Sequence, residues 1–233
     1  MPIIPDHSLM TPYINALKAD ADPERAPQMA QYHKVTRPYL GLMNKQIDDM
    51  VKIWRRELSV DNRVTLADQL WNTNIYEGRL AAAKLLTQNR MDPDYQAWSL
   101  MYSWAQDFDS WAIADHVCMA GHKRLLADPT RLDDVEQWTH SDHMWSRRAA
   151  LVISLPWTKQ QNPTATDMAR RERILKWAES YAEDQEWFIQ KAIAWWLREL
   201  SKRDATRVSV FLENVGHKLK PFAQREAAKY LNK

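Results

Sequence analysis

The stretch best equipped for chemistry is Asp109-Ser-Trp-Ala-Ile-Ala-Asp-His116, which sets an indole, Trp111, and a carboxylate, Asp115, four residues apart in an apolar helical frame. Side chains at that spacing share one face of a helix. An aromatic face beside an acid in a half-buried groove attracts a flat, sugar-like or cationic ligand, because the ring quadrupole and the carboxylate both favour positive charge. The same spacing also describes a core Trp with a solvated Asp beside it, so the pair gains meaning only from the rest of the chain. Other constellations say less. His116, Cys118 and His122, or His140 and His143, lack a recognised zinc spacing and read as ordinary helix residues, so neither metal nor cofactor is expected. With no glycine-rich phosphate loop and no Gly-x-Ser-x-Gly elbow, nucleotide hydrolysis and serine-hydrolase chemistry have no support.

The elements that must position these residues are helices. A chain of 233 residues can bury a sizeable core, and only 4 Gly disfavour a turn-rich all-β fold. Twelve Trp in a chain that is 45% hydrophobic leave more aromatic surface than one small core uses, so some of it can face a ligand. A net charge of +2 and a pI near 8.6 are too mild to identify a nucleic-acid partner, so the distribution of the 32 Lys and Arg must decide. The single Cys118 excludes an internal disulfide, suits a reducing compartment and reads as a buried structural thiol. The start, Met1-Pro-Ile-Ile-Pro-Asp-His, lacks a basic region followed by a long apolar stretch, and no later run approaches membrane-spanning length. A cytoplasmic protein is expected.

In chain order, residues 11–20 and 24–34 read as two short helices, followed by a compact turn at Pro38-Tyr-Leu-Gly-Leu42. From Asn44 apolar residues recur at helical spacing: Ile47, Met50, Val51, Trp54 and Leu58, then Val64, Leu66, Leu70 and Trp71. Asp92-Pro93, Asp128-Pro129, Asn162-Pro163 and Lys220-Pro221 each put Pro where a helix can begin, punctuating a single domain over 1–233. Four segments resemble one another: Arg79-Leu-Ala-Ala-Ala-Lys-Leu-Leu, Arg148-Ala-Ala-Leu-Val-Ile-Ser-Leu, Lys191-Ala-Ile-Ala-Trp-Trp-Leu and Arg225-Glu-Ala-Ala-Lys-Tyr-Leu. With the Trp111 helix between the first two, they recur at about 34, 35, 43 and 34 residues, a period of stacked helical hairpins of the HEAT or armadillo kind. The expected fold is an all-α solenoid with a concave groove. Arg79, Arg148, Lys191 and Arg225 would then stand near the N-termini of successive inner helices as a basic stripe, suited to a phosphate backbone. A row of solvated charges is the competing account.

Several strings resemble the DNA alkylation repair family of AlkD-type, HEAT-like alkylpurine DNA glycosylases over nearly the whole chain. They are Met29-Ala-Gln-Tyr-His-Lys34 with Tyr39-Leu-Gly-Leu42, Ser110-Trp111 with Asp115, Met144-Trp-Ser-Arg-Arg-Ala-Ala-Leu151, and Trp187-Phe-Ile-Gln-Lys-Ala-Ile-Ala-Trp-Trp-Leu-Arg-Glu-Leu200. The resemblance implies a catalytic set of Trp111, Asp115, Arg148 and Trp195. It implies DNA contacts from Arg148 and the aromatic pair Trp187 and Phe188, and these, with Tyr32 and Lys34 of the first string, join the basic stripe of Arg79, Lys191 and Arg225 as the expected DNA contacts. Met43 stands where some members have a polar DNA-contacting residue, and Ala194 where Gly is common.

The resemblance further implies a monomeric, cofactor-free enzyme that removes 3-methyladenine and 7-methylguanine from double-stranded DNA without flipping the base, in a nucleoid-associated cytoplasmic setting. Two other functions remain open: a non-catalytic repeat protein that binds DNA structures, and a protein-interaction scaffold. The scaffold would need neither a basic stripe nor this carboxylate.

Overall fold

The computed structural model describes residues 9–231. Among them are thirteen α-helices and no strand. In order these are α1 (Met10–Ala19), α2 (Arg25–His33), α3 (Asn44–Glu57), α4 (Val60–Asn72), α5 (Tyr76–Leu86), α6 (Tyr95–Ser103), α7 (Trp111–Ala127), α8 (Leu132–Thr139), α9 (Met144–Ile153), α10 (Ala165–Ser180), α11 (Trp187–Ser201), α12 (Ala205–Val215) and α13 (Pro221–Ala227). Short 3-10 helices at Trp104–Asp107, Pro129–Arg131, Leu155–Thr158 and Gly216–Lys218 join some of them. The chain divides into two compact units, one ending at Arg124 and the other beginning at Leu125.

In the first unit α5 is the central helix, because Leu80, Ala81, Ala82, Ala83, Leu85 and Leu86 leave it apolar nearly all round. It packs against α4 and α3, with α1 against both α4 and α5. Helix α3 is one-sided by contrast, burying Ile47, Val51 and Trp54 at helical spacing while its charges face solvent. The α4 cap is Ser59, whose hydroxyl accepts the Asn62 N–H at 3.2 Å. Trp71 of α4 stacks on Trp104 with centroids 4.2 Å apart and planes at 6°. Its indole N–H donates to the Asp107 carboxylate at 2.9 Å.

The turn at 38–42 is pinned from beneath. Glu77, in the first turn of α5, is wholly buried, and its carboxylate accepts the N–H groups of Leu40, Gly41 and Leu42 at 2.9, 2.8 and 3.3 Å. Gly41 has φ +86° and lies so close to α2 that a Cβ there would come within 2.2 Å of the Asp22 carbonyl oxygen. Only glycine fits both demands. The Tyr39-Leu-Gly-Leu42 string is therefore a clamp that fixes where α3 begins.

In the second unit α11 is central, packing on α9, α12 and α13 and burying Ile189, Ala192, Ile193, Trp196, Leu197 and Leu200. Buried Gln190 plays the part that Glu77 plays in the first unit. Its amide donates to the carbonyls of Ala182 and Asp184, both at 2.9 Å, and accepts the Lys220 N–H at 2.9 Å. This ties the start of α11 to the loop before it and to the cap of α13.

Two expected helix starts move. Pro129 opens a 3-10 helix behind Asp128 and Pro221 opens α13, as the sequence indicated. Pro93 and Pro163, however, stand outside helices: α6 starts at Tyr95, and α10 at Ala165 behind a reciprocal cap between Thr164 and Asp167. The hydroxyl and carboxylate of that cap satisfy the first N–H groups of α10, so the start falls after the proline.

Candidate active site and nucleic-acid interface

The first unit carries the Trp–Asp pair. Ser110 is buried and its carbonyl accepts the Ala114 N–H at 3.1 Å, so α7 starts cleanly with Trp111 as its first residue and Asp115 as its fifth. Both are part-exposed, whereas Ala112, Ile113 and Ala114 between them are buried. The start of α7 is fixed by an ion pair between Asp109 and Arg37, whose side chain is only 2% exposed. The Trp111 ring meets Tyr32 edge-on at 6.0 Å and 86°, and His33 at 6.0 Å and 69°. His33 in turn stacks on Tyr76 at 4.6 Å and on Tyr39 at 5.7 Å. These rings stand beside a cavity of about 410 Å³ that Tyr32, His33, Tyr76, Trp111 and His116 help to line.

The charge around the pair is asymmetric. Burial holds His116, next to Asp115, down at about 4, and the nearby Lys84 ammonium pushes it the same way. Burial also lowers His33, with Arg37 adding to the effect. Both imidazoles are thus neutral at physiological pH, leaving the Asp115 carboxylate without an imidazolium beside it. Tyr32 is 69% exposed, and Lys34, also exposed, ends α2 in a left-handed conformation with φ 57°. Arg79 is the fourth residue of α5. Its guanidinium lies 4.5 Å from the Trp71 ring centre and donates to the Trp71 and Asp107 carbonyls at 3.3 and 3.2 Å. It braces the α4–α5 corner.

The second unit presents three packed helices, α9, α11 and α13, in one register. Each has an aromatic residue in second place (Trp145, Phe188, Phe222) and a cation in fifth place (Arg148, Lys191, Arg225). The rings form a chain: Trp145 to Phe188 at 4.7 Å, Phe188 to Trp187 at 4.9 Å, and Trp187 to Phe222 at 5.8 Å. Lys191 Nζ sits 4.7 Å from the Trp187 ring centre and the Arg148 guanidinium 5.7 Å from that of Trp145. Lys191 and Arg225 are exposed, but Arg148 is only 3% exposed, so the three cations differ in reach.

Trp187 is 47% exposed and opens α11 as Trp111 opens α7. Trp195 lies about two turns further along, part-buried beside the fully buried Trp196. Of the three indoles on α11, Trp187 therefore shares the register of Trp111. Trp145, Phe222, Arg37 and His33 were not picked out from the sequence as functional candidates. A signal for the first two was present, an aromatic residue three before a cation, repeated at 145/148, 188/191 and 222/225. No such pattern marks Arg37 or His33, which tertiary packing alone brings to Asp109 and to Trp111 respectively. Among the described residues no group of three or more His, Cys, Asp or Glu side chains is placed to hold a metal ion, and no helix is long and apolar enough to cross a membrane.

A family model described as a DNA alkylation repair enzyme matches residues 13–231. Among solved structures, the chain is similar to a predicted DNA alkylation repair enzyme from Enterococcus faecalis, with 22% identity, 91% of this chain and 97% of that one covered, and a TM-score of 0.78. AlkD2 from Streptococcus mutans matches at 17% identity over 96% of this chain and 98% of its own, with a TM-score of 0.65. The smu.31 protein of Streptococcus mutans UA159 matches at 17% identity over 80% and 92%, with a TM-score of 0.63. No curated protein matches the chain. The similarity to these structures establishes a shared helical-repeat fold.

Proposed function

Because the chain belongs to the DNA alkylation repair enzyme family, we propose that it is a monofunctional glycosylase that hydrolyses the N-glycosidic bond of cationic alkylated purines in duplex DNA. The observation that carries this reading is the start of α7, where a part-exposed indole and a part-exposed carboxylate stand one turn apart beside neutral imidazoles. 3-Methyladenine and 7-methylguanine in DNA already carry positive charge. When the C1′–N bond breaks, its electron pair neutralises the base, which needs no proton, and positive charge moves to the deoxyribose. Asp115 stabilises that oxocarbenium-like sugar and orients the water that adds to C1′, and the water's proton is lost to the carboxylate and then to solvent. At roughly 4 Å and an effective dielectric near 20, one such charge pair is worth about 4 kcal/mol before desolvation costs. That is on the order of a thousandfold in rate.

Trp111 offers the nucleotide an apolar, electron-rich face. Trp187, in the same register on α11, and Trp195 beyond it are the aromatic contributors of the second unit. The exposed Lys191 and Arg225 neutralise backbone phosphates, with Tyr32, Lys34 and Phe188 as further DNA contacts, while the buried Arg148 keeps its guanidinium against Trp145. The base is not flipped into a pocket before cleavage. The test is release of free base by purified protein from duplexes carrying 7-methylguanine, with hypoxanthine and uracil duplexes alongside. The neutral lesions leave as anions or need an acid that the proposed set lacks, so they should stay in place. Comparable release of uracil and 7-methylguanine would sink the mechanism.

A further inference from the structure

The cavity of about 410 Å³ beside Trp111 falls within the size range of small-molecule sites, and its chemistry differs from that of the carboxylate one turn away. Its aromatic wall is rigid, because Tyr32, His33, Tyr76 and Trp111 are all in ring-to-ring contact with one another or through His33. No Asp or Glu lines it. The Arg25 guanidinium at its edge is already matched by Asp22 at 2.8 Å and by the Gly41 carbonyl at 2.8 Å. His33 and His116 are held neutral by burial, so each imidazole carries one N–H and one lone pair, and the Nε2 of His33 already meets the Tyr76 hydroxyl at 3.5 Å. The Nδ1 of His33 is buried with no protein hydrogen-bond partner. The Asn44 amide adds a donor and an acceptor at the start of α3. Flat walls, no net charge and amide-like and imidazole edges are the complement of an uncharged heteroaromatic ring with its own donors and acceptors.

We propose that this cavity holds one neutral purine base, and that its principal occupant is the alkylpurine just released. The proposal rests on the glycosylase reading above, and the chemistry links the two sites. Before cleavage the base is cationic and is drawn to the Asp115 side of α7. Cleavage removes that charge, and with it the attraction to the carboxylate, leaving a flat neutral ring that enters a cavity lined by no carboxylate without the cost of desolvating a charge.

Two arms separate the sources of such a base. In the first, free 7-methylguanine is titrated into the full-length protein by calorimetry. In the second, a duplex with one unpaired 2-aminopurine is followed by fluorescence, with free 7-methylguanine as competitor. Saturable binding of the free base is expected, weakened by about tenfold or more in Met29→Trp, which fills the cavity from its part-exposed wall. Met29 lies outside the proposed catalytic set, so single-turnover excision by this variant should match the wild type. Asn44→Leu, at an exposed position, supplies a second variant that removes the amide edge and should also weaken binding. A 2-aminopurine signal reversed by free base would put a base still on its strand in the cavity, and would overturn both the released base as its principal occupant and cleavage without base flipping.

No saturable binding in either arm overturns the proposal, as does wild-type affinity in both variants once circular dichroism shows them folded. Excision measured on the same preparation keeps the two readings apart. Base binding without excision removes the glycosylase and keeps the purine site, and excision without base binding does the reverse.

Discussion

The first turns of α7 and α11 are built alike and charged oppositely. Each opens on a tryptophan, Trp111 or Trp187, and each carries its ionised side chain four residues later, Asp115 or Lys191. In the second unit the cation lies over its indole and the neighbouring helices α9 and α13 supply further cations, which suits a phosphate backbone. In the first unit the corresponding place holds a carboxylate, and the surrounding imidazoles are kept uncharged, which suits a centre that becomes positive only during reaction. A repeat scaffold has thus fixed one position twice and left its charge to differ, and under the proposed function that charge sets the task, DNA binding at one copy and bond cleavage at the other.

The largest test of that division is Asp115→Asn. The amide keeps the size of the side chain and removes a charge that matters mainly in the transition state. Single-turnover excision should fall on the order of a thousandfold while affinity for the same duplex holds. Undiminished turnover would leave α7 with no more claim to the chemistry than α11.

A second asymmetry lies one residue on. His116 follows Asp115, whereas uncharged Ala192 follows Lys191. With its folded value depressed to about 4 by burial, against about 6.5 when unfolded, His116 takes up a proton in the unfolded chain across this window and not in the folded one. Folding stability should therefore fall as pH drops from about 6.5 towards 4, by up to about 3 kcal/mol from this group alone. Denaturant titrations across that range would show it, and His116→Gln should flatten the slope. An equal slope in the variant would place the acid sensitivity elsewhere.

The loops held by Glu77, before α3, and by Gln190, before α11, sharpen the comparison of the two units further. Glu77 holds three backbone N–H groups, and Gln190 holds two carbonyls and one N–H. Swapping the two chemistries should damage both units. Glu77→Gln turns a donor towards donors, and Gln190→Glu turns a carboxylate towards carbonyls. Each should cost about 2 kcal/mol in equilibrium unfolding. A neutral Glu77→Gln would mean that the 38–42 turn holds its place through Gly41 and packing alone.

How much of this was legible in the sequence depended on whether the signal was local. Helix spacing in α3, the proline that opens α13 and the recurrence of Arg79, Arg148, Lys191 and Arg225 near helix starts are properties of short windows, and the sequence shows them directly. The Trp111–Asp115 pair belongs to the same class. What the windows could not show is what each side chain meets across the fold. Arg79 has the same sequence setting as Lys191, yet folding turns its guanidinium onto the Trp71 and Asp107 carbonyls, and Arg148 is buried where Arg225 is exposed. Arg37 and Asp109 are 72 residues apart and pair only once α7 is docked. Trp195 stands out in sequence through the string around it, while the register of α11, visible only when its first residue is known, selects Trp187 as the counterpart of Trp111.

The smallest effect is expected at Lys191, and it probes the comparison from the other side. Lys191 is exposed and reaches solvent over Trp187, so its proposed contact is one phosphate and no base. Lys191→Ala should weaken binding to undamaged and methylated duplexes alike, by a few-fold at most, and reduce the slope of log affinity against log salt by about 0.9. Excision from DNA already bound should keep its rate, because the cation has no part in the charge that develops on the sugar. Asp115→Asn supplies the mirror image, since deleting an anion releases no counterion from the DNA and should leave the salt slope as it was. Binding isotherms at several salt concentrations for the two variants would therefore separate along different axes, one in slope and the other in rate. An unchanged slope for Lys191→Ala would take this residue off the phosphate. The shared register of α7 and α11 would then be a feature of how the helices pack, with no division of labour between them.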